Sequence, residues 1–366
     1  MTESDVTREG LRGVRPGSHA HPGRNAGPWR RRRRGERPMV PPAEFTSYYG
    51  KPVINRPVWS SPDIPGYLFL GGLAGASSLL GAGAQLTGRP SLARTAKAGA
   101  FGAGCLSMVA LVHDLGRPAR FANMLRVLKV SSPMSVGSWL LSGYVPAAGV
   151  AAACALTGRF PLIGAAATGG AALLGPPVAA YTAALISDTA VPAWHDGYPE
   201  MPFVFAGSAA TAAGGLGLLG TSLLAASPAE AVPARNLGLF GACLELAAAA
   251  RMTRRIGMVA EPYHSGRGGA YMKAGEVLAV LGVAGSLAGA AGPPLSSAGQ
   301  RFAGAQSLGR LLSGPRGRVV TAVSGAALLA ASAATRWGIF HAGMASADDP
   351  KYTVVPQRER LARRVA

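Results

Sequence analysis

Charge is what this sequence has least of. Only 14% of its 366 side chains are charged, against roughly 25% in a soluble globular protein, and that deficit excludes an ordinary water-soluble enzyme. The charges that exist are pushed to the ends: residues 1–60 carry 12 Lys/Arg and 5 Asp/Glu, and residues 341–366 carry 5 and 3. Cysteine is scarce as well. Cys105, Cys154 and Cys243 stand far apart with no C-x-x-C pair, so zinc or iron–sulfur ligation by this chain is not expected, and their apolar flanks predict buried thiols. The six histidines, His19, His21, His113, His195, His264 and His341, avoid the middle of every apolar run. Facing histidines for a transmembrane haem are therefore missing. A phosphate-cradling G-x-x-x-x-G-K-[ST] loop and a G-x-S-x-G nucleophile elbow are absent too. No apolar core follows the basic run Arg30–Arg34 until Ile64, so a signal peptide is not expected.

What remains is apolar and rich in glycine. Glycine supplies 51 residues without a G-X-Y period, about twice the usual ~7%, and mean hydropathy is +0.23. Small residues at this density let helices approach closely in a membrane. A helix needs about 20 apolar residues to cross a hydrocarbon core of ~30 Å. Eight stretches are long enough: approximately 64–86, 97–115, 135–156, 162–187, 203–226, 236–258, 275–292 and 319–340. The second and sixth are the weakest, because of His113 and Asp114 in one and Glu245, Arg251 and Arg254 in the other. Strand-like alternation is absent, which argues against an outer-membrane barrel. The expected fold is an all-α integral membrane protein of eight transmembrane helices, in two four-helix bundles. Residues 1–47 form a disordered basic tail, 48–345 the membrane domain and 346–366 a basic C-terminal tail.

Eight crossings put both termini on one side, together with the basic loops near Arg117–Lys129 and Arg254–Lys273. By the positive-inside rule that side is cytoplasmic in a cell inner or plasma membrane. The formal charge of +19 is then a topology determinant and a lipid contact rather than a nucleic-acid footprint. The same side collects the unusual polar residues, so function is expected there.

Ionisable groups at the ends of membrane helices usually pair with one another or line a proton or ligand path. In His113-Asp114-Leu115-Gly116-Arg117-Pro118, the imidazole and carboxylate can exchange protons near neutral pH. Arg117 can hold Asp114 ionised or bind an oxygen-rich ligand. The rival reading is a helix end anchored by snorkelling charges. Asp63 and Tyr67 lie four apart, on one helical face, with Gly71, Gly72 and Gly75 just beyond. Tyr181 and Asp188 lie seven apart, again on one face. For both tyrosines the alternative is an interfacial aromatic belt. Glu245 has Arg251 and Arg254 on the following turns as candidate partners.

Several segments carry a resemblance: Tyr48-Tyr49-Gly50-Lys51-Pro52 to Trp59, Tyr67 to Gly75, His113 to Pro118 with Arg120-Phe121 and Asn123-Met124-Leu125, Ser131-Ser132-Pro133-Met134-Ser135-Val136-Gly137-Ser138-Trp139, and Asp188-Thr189-Ala190-Val191-Pro192-Ala193-Trp194-His195. From about residue 48 to Val354 the chain resembles the NrfD/polysulfide reductase membrane-subunit family. The resemblance implies an eight-helix subunit that holds neither haem nor iron–sulfur cluster itself. It implies partnership with a four-cluster ferredoxin-like iron–sulfur subunit, joined in turn to a molybdopterin oxidoreductase, and electron exchange with membrane quinone, menaquinone being expected. Tyr67 and Tyr181 resemble quinone-contacting side chains, and Asp114 and Asp188 resemble proton-transferring acids. Where this chain has Tyr67, a member of the family carries histidine, and either side chain supplies a hydrogen-bond donor. A cytoplasmic partner suits a formate-dehydrogenase-like enzyme. The competing functions are a secondary transporter or proton-translocating protein, and a passive anchor without quinone chemistry.

Overall fold

The computed structural model describes residues 53–117, 119–289 and 315–365. The expected disordered tail over 1–47, Pro118 and residues 290–314 lie outside the described residues. Among those described there is no strand, and eight long helices occupy the eight expected stretches: α1 (Asp63–Leu86), α2 (Pro90–Asp114), α3 (Pro133–Thr157), α4 (Pro161–Ser187), α5 (Met201–Leu223), α6 (Pro228–Arg255), α7 (Gly266–Ala288) and α8 (Pro315–Asp348). A ninth helix, α9 (Lys351–Val365), follows α8. Seven of the long helices are apolar enough to cross a membrane. The exception is α6, whose Glu230, Arg235, Glu245, Arg251, Arg254 and Arg255 make it the polar helix the sequence marks as weak.

Proline starts most of these helices. It stands in the first turn of α2, α3, α4, α5 and α6, where its missing N–H has no helical acceptor to lose and its fixed φ suits a helix start. Gly158, with φ +69°, closes α3 in the left-handed conformation that glycine adopts without a Cβ penalty.

The helices form two rings of four. In one, α1 packs on α2 and α4, and α3 on the same two; in the other, α5 packs on α6 and α8, and α7 on those two. The rings meet through α1 and α5, whose apolar windows are each 72% buried, against 22–39% for the other spans. Glycine makes the tightest approaches. A Cβ on Gly75 of α1 would lie 2.2 Å from the Gly175 carbonyl of α4, so the two backbones touch where any side chain would part them.

The start of α1 and the end of α8 share one face, because Arg56 Nε lies 3.4 Å from Asp348 Oδ1. On the opposite face Glu230 of α6 accepts hydrogen bonds from Ser91 of α2. The even number of long helices is therefore visible in side-chain contacts. The thiols differ from expectation: Cys105 and Cys154 are half-buried and Cys243 is exposed. An apolar run marks a membrane helix but not which of its faces turns inward.

Candidate functional site at one end of the first bundle

Asp63 opens α1 and His113 occupies the last turn of α2, each at the helix end whose partial charge favours it. The two helices are antiparallel neighbours, so these ends meet. His113 Nδ1 lies 2.9 Å from Asp63 Oδ2. Beside them Asp114 Oδ1 accepts the Ser60 N–H at 2.8 Å, which ties the segment entering α1 to the end of α2. Asp63 is half-buried and His113 exposed, so the pair reaches from solvent toward the bundle.

One turn deeper, Tyr67 is 2% exposed. The Ser107 hydroxyl of α2 donates to its carbonyl oxygen at 3.1 Å. Tyr67 meets Tyr181 of α4 edge to face, with centroids 6.4 Å apart and planes at 71°, a favoured aromatic arrangement. A Cβ on Gly137 of α3 would lie 2.1 Å from the Tyr181 ring, so that glycine makes room for the ring. Among the described residues the buried Tyr181 hydroxyl has no hydrogen-bond partner. An orphaned buried hydroxyl costs about 1–3 kcal/mol and calls for a reason. By contrast, Tyr144 on the next bundle layer is satisfied, donating to the Ala74 carbonyl at 2.6 Å with Ser78 Oγ at 2.7 Å.

Arg117 and Asp188 lie exposed on the same face. Arg117 follows the left-handed Gly116, φ +68°, and Asp188 caps the end of α4. Neither side chain makes a hydrogen bond or ion pair among the described residues. The structure thus gathers Asp63, His113, Asp114, Tyr67 and Tyr181, and leaves Arg117 and Asp188 at the rim. The short helix Pro192–His195 covers the bundles' junction: Trp194 is fully buried, donates to the Ile339 carbonyl at 2.7 Å and stacks on Trp59 at 5.4 Å.

Glu245 is corrected by the structure. Arg251 turns away from it to Glu200, 3.4 Å distant, and Arg255 grips the same carboxylate at 2.7 Å. Arg255 hydrogen bonds, with burial opposing them, hold the Glu200 carboxyl below the usual carboxylate range. Glu245 makes no ion pair among the described residues; Arg336 of α8 is a second buried charge in the same bundle whose field reaches it. Arg336 is fully buried, donates through Nη2 to the Phe205 carbonyl at 2.8 Å and lies 3.6 Å over the Phe205 ring. Among the described residues its Nε and Nη1 have no partner, nor does Glu245 Oε2. This deep polar centre of the second bundle escaped the sequence reading, although an arginine inside the otherwise uncharged run 319–340 was a signal for it.

Residues 52–157 match the family model described as Polysulphide reductase, NrfD. The match spans α1 to α3 and so includes Asp63, Tyr67, His113, Asp114 and Arg117; Tyr181 and Asp188 on α4 lie beyond it. No curated protein matches the chain.

Proposed function

We propose that this chain is the quinone-interacting membrane subunit of a multi-subunit molybdopterin and iron–sulfur oxidoreductase. It passes electrons between a four-cluster ferredoxin-like partner and membrane quinone, with menaquinone the expected species. The observation that carries the reading is the Tyr67–Tyr181 pair, with an unpartnered buried hydroxyl on Tyr181, beneath a histidine–carboxylate pair that reaches the surface. The family match over the helices that bear Tyr67, Asp63 and His113 supports it.

The residues fit a planar ring carrying carbonyl oxygens. Tyr67 and Tyr181, both buried, bring phenolic donors, and the Tyr181 hydroxyl has no acceptor to give up among the described residues. When bound, the quinone supplies two-electron, two-proton redox chemistry. The protein's part is to orient and to move protons. The tyrosine hydroxyls donate to carbonyl oxygens where negative charge develops. His113 holds a proton at Nδ1 against Asp63 and exchanges it with solvent at its exposed edge. Asp114, bound to the Ser60 N–H, keeps the segment before α1 in place, while Arg117 and Asp188 set the charge of the rim. The partner docks on this face, which we place in the cytoplasm with both termini.

Purification of the tagged chain from its native membrane in mild detergent tests the assignment. Co-purification of an iron–sulfur subunit with a molybdopterin enzyme is the expected result, whereas a reproducibly solitary chain contradicts it. The buried Glu245–Arg336 centre favours one second reading, a proton-translocating protein. Gradient-driven proton flux in liposomes by the chain alone would support that reading instead.

A further inference from the structure

A cavity of about 370 Å³ lies on the same face as the site above but on the other bundle, between the start of α7, the end of α8 and the start of α9. Arg56, Arg267 and His341 line it together with Asp348, Asp349 and Tyr352. Charge of both signs meets there. Asp348 is held by Arg56 at 3.4 Å, and Asp349 lies 3.6 Å from Lys351, which binds Glu261 at 3.0 Å. Arg267 has no acidic partner among the described residues. It also sits in the first turn of α7, which has no side-chain cap. One wall of the cavity is thus a guanidinium without an acidic partner among the described residues, and the other is a pair of carboxylates, each facing a cation.

Depth identifies the class of ligand. The 23 residues of α7 extend about 35 Å at ~1.5 Å per residue, little more than a ~30 Å hydrocarbon core, so its first turn lies at headgroup level. Below it, Ala270, Lys273, Val277 and Leu281 follow Gly266 along one exposed face of α7, which is apolar beyond Lys273 and leads away from the cavity.

We propose that this cavity binds a phosphoethanolamine group, the headgroup of a membrane phospholipid. The phosphate is held by Arg267 and by Arg56, which turns to it from Asp348, the ammonium takes the place of Arg56 beside Asp348 and Asp349, and the acyl chains run down the α7 face beyond Lys273. The inference rests on the chain spanning a membrane and not on quinone chemistry.

Native mass spectrometry of the full chain in mild detergent tests it, with phosphatidylethanolamine, phosphatidylglycerol or soluble O-phosphoethanolamine added. The expected result is one retained phosphatidylethanolamine, favoured several-fold over phosphatidylglycerol. Arg267→Gln should lower that retention about ten-fold while Arg267→Lys keeps most of it, and Asp348→Asn should bring the two lipids to parity. All three substitutions replace exposed or half-exposed side chains, and an unchanged melting temperature checks the fold. Retention indifferent to Arg267→Gln, or phosphatidylglycerol bound as well as phosphatidylethanolamine by the unsubstituted chain, would overturn the site. Soluble O-phosphoethanolamine binding as tightly as the lipid would contradict the lipid as its source.

Discussion

His113 and Asp63, fifty residues apart in sequence, meet at 2.9 Å where α2 ends and α1 begins. The contact converts two separate helix termini into one hydrogen-bonded pair one helical turn above Tyr67. His113 is 77% exposed at its side chain and Asp63 16%, so one partner faces water and the other faces the bundle.

That geometry sets the first prediction. Asp63→Asn removes the carboxylate and should slow quinone turnover by the native complex about ten- to hundred-fold, the lower range for a lost general acid–base partner. Stability should change little, because exposed pairs contribute about 0–1 kcal/mol. A steady-state quinol or quinone assay beside a thermal melt separates the two effects, and a large loss of stability with normal turnover would contradict the assignment.

Tyr181→Phe separates function from packing. The hydroxyl has no partner among the described residues, so its removal should leave the melting temperature unchanged or slightly raised, since an unsatisfied buried group costs about 1–3 kcal/mol. Quinone turnover should nevertheless fall. A variant less stable than the parent yet fully active would mean that the hydroxyl serves the fold.

Glu200 ties the start of α5 to Arg251 and Arg255 at the end of α6. Its carboxyl is held below the usual range, first by the Arg255 hydrogen bonds. The stability it contributes is complete above the unfolded value of about 4.3 and is lost as pH falls through the lower folded value. Glu200→Gln should therefore lower stability near neutral pH, by about 1–2 kcal/mol for the lost charge-assisted hydrogen bonds. It should also flatten the acid limb of a melting-temperature profile; parallel profiles for the two proteins would contradict this.

Glu245 and Arg336 should behave as a unit. Removing one charge leaves the other buried and uncompensated, a loss of about 3–5 kcal/mol, whereas replacing both by apolar groups is often close to neutral. Arg336→Met and Glu245→Gln are each expected to destabilise more than the double variant. Additive losses in a double-mutant cycle would show that the two are independent.

Much of this architecture is legible in the sequence because a membrane imposes a length and a composition on each crossing. The eight stretches reappear as eight helices, and even the weakness of α6 was written in Glu245, Arg251 and Arg254. Local spacing also placed Asp63 with Tyr67, and the His113-Asp114 pair at a helix end. Less legible were relationships between distant segments. Nothing local pairs His113 with Asp63, directs Arg251 to Glu200 or sets Arg336 beside Glu245, since each depends on which helices become neighbours. The cysteines show the same limit: with apolar residues on every side of a helix, no periodicity distinguishes inner from outer faces.

Photoaffinity labelling of the purified chain with an azido-naphthoquinone, followed by peptide mapping, tests the central claim most directly and needs no partner subunit. The account predicts label on α1 around Tyr67 and on α4 around Tyr181, suppressed by excess menaquinone. Label confined to other helices, or label on α1 and α4 that menaquinone does not displace, would contradict it.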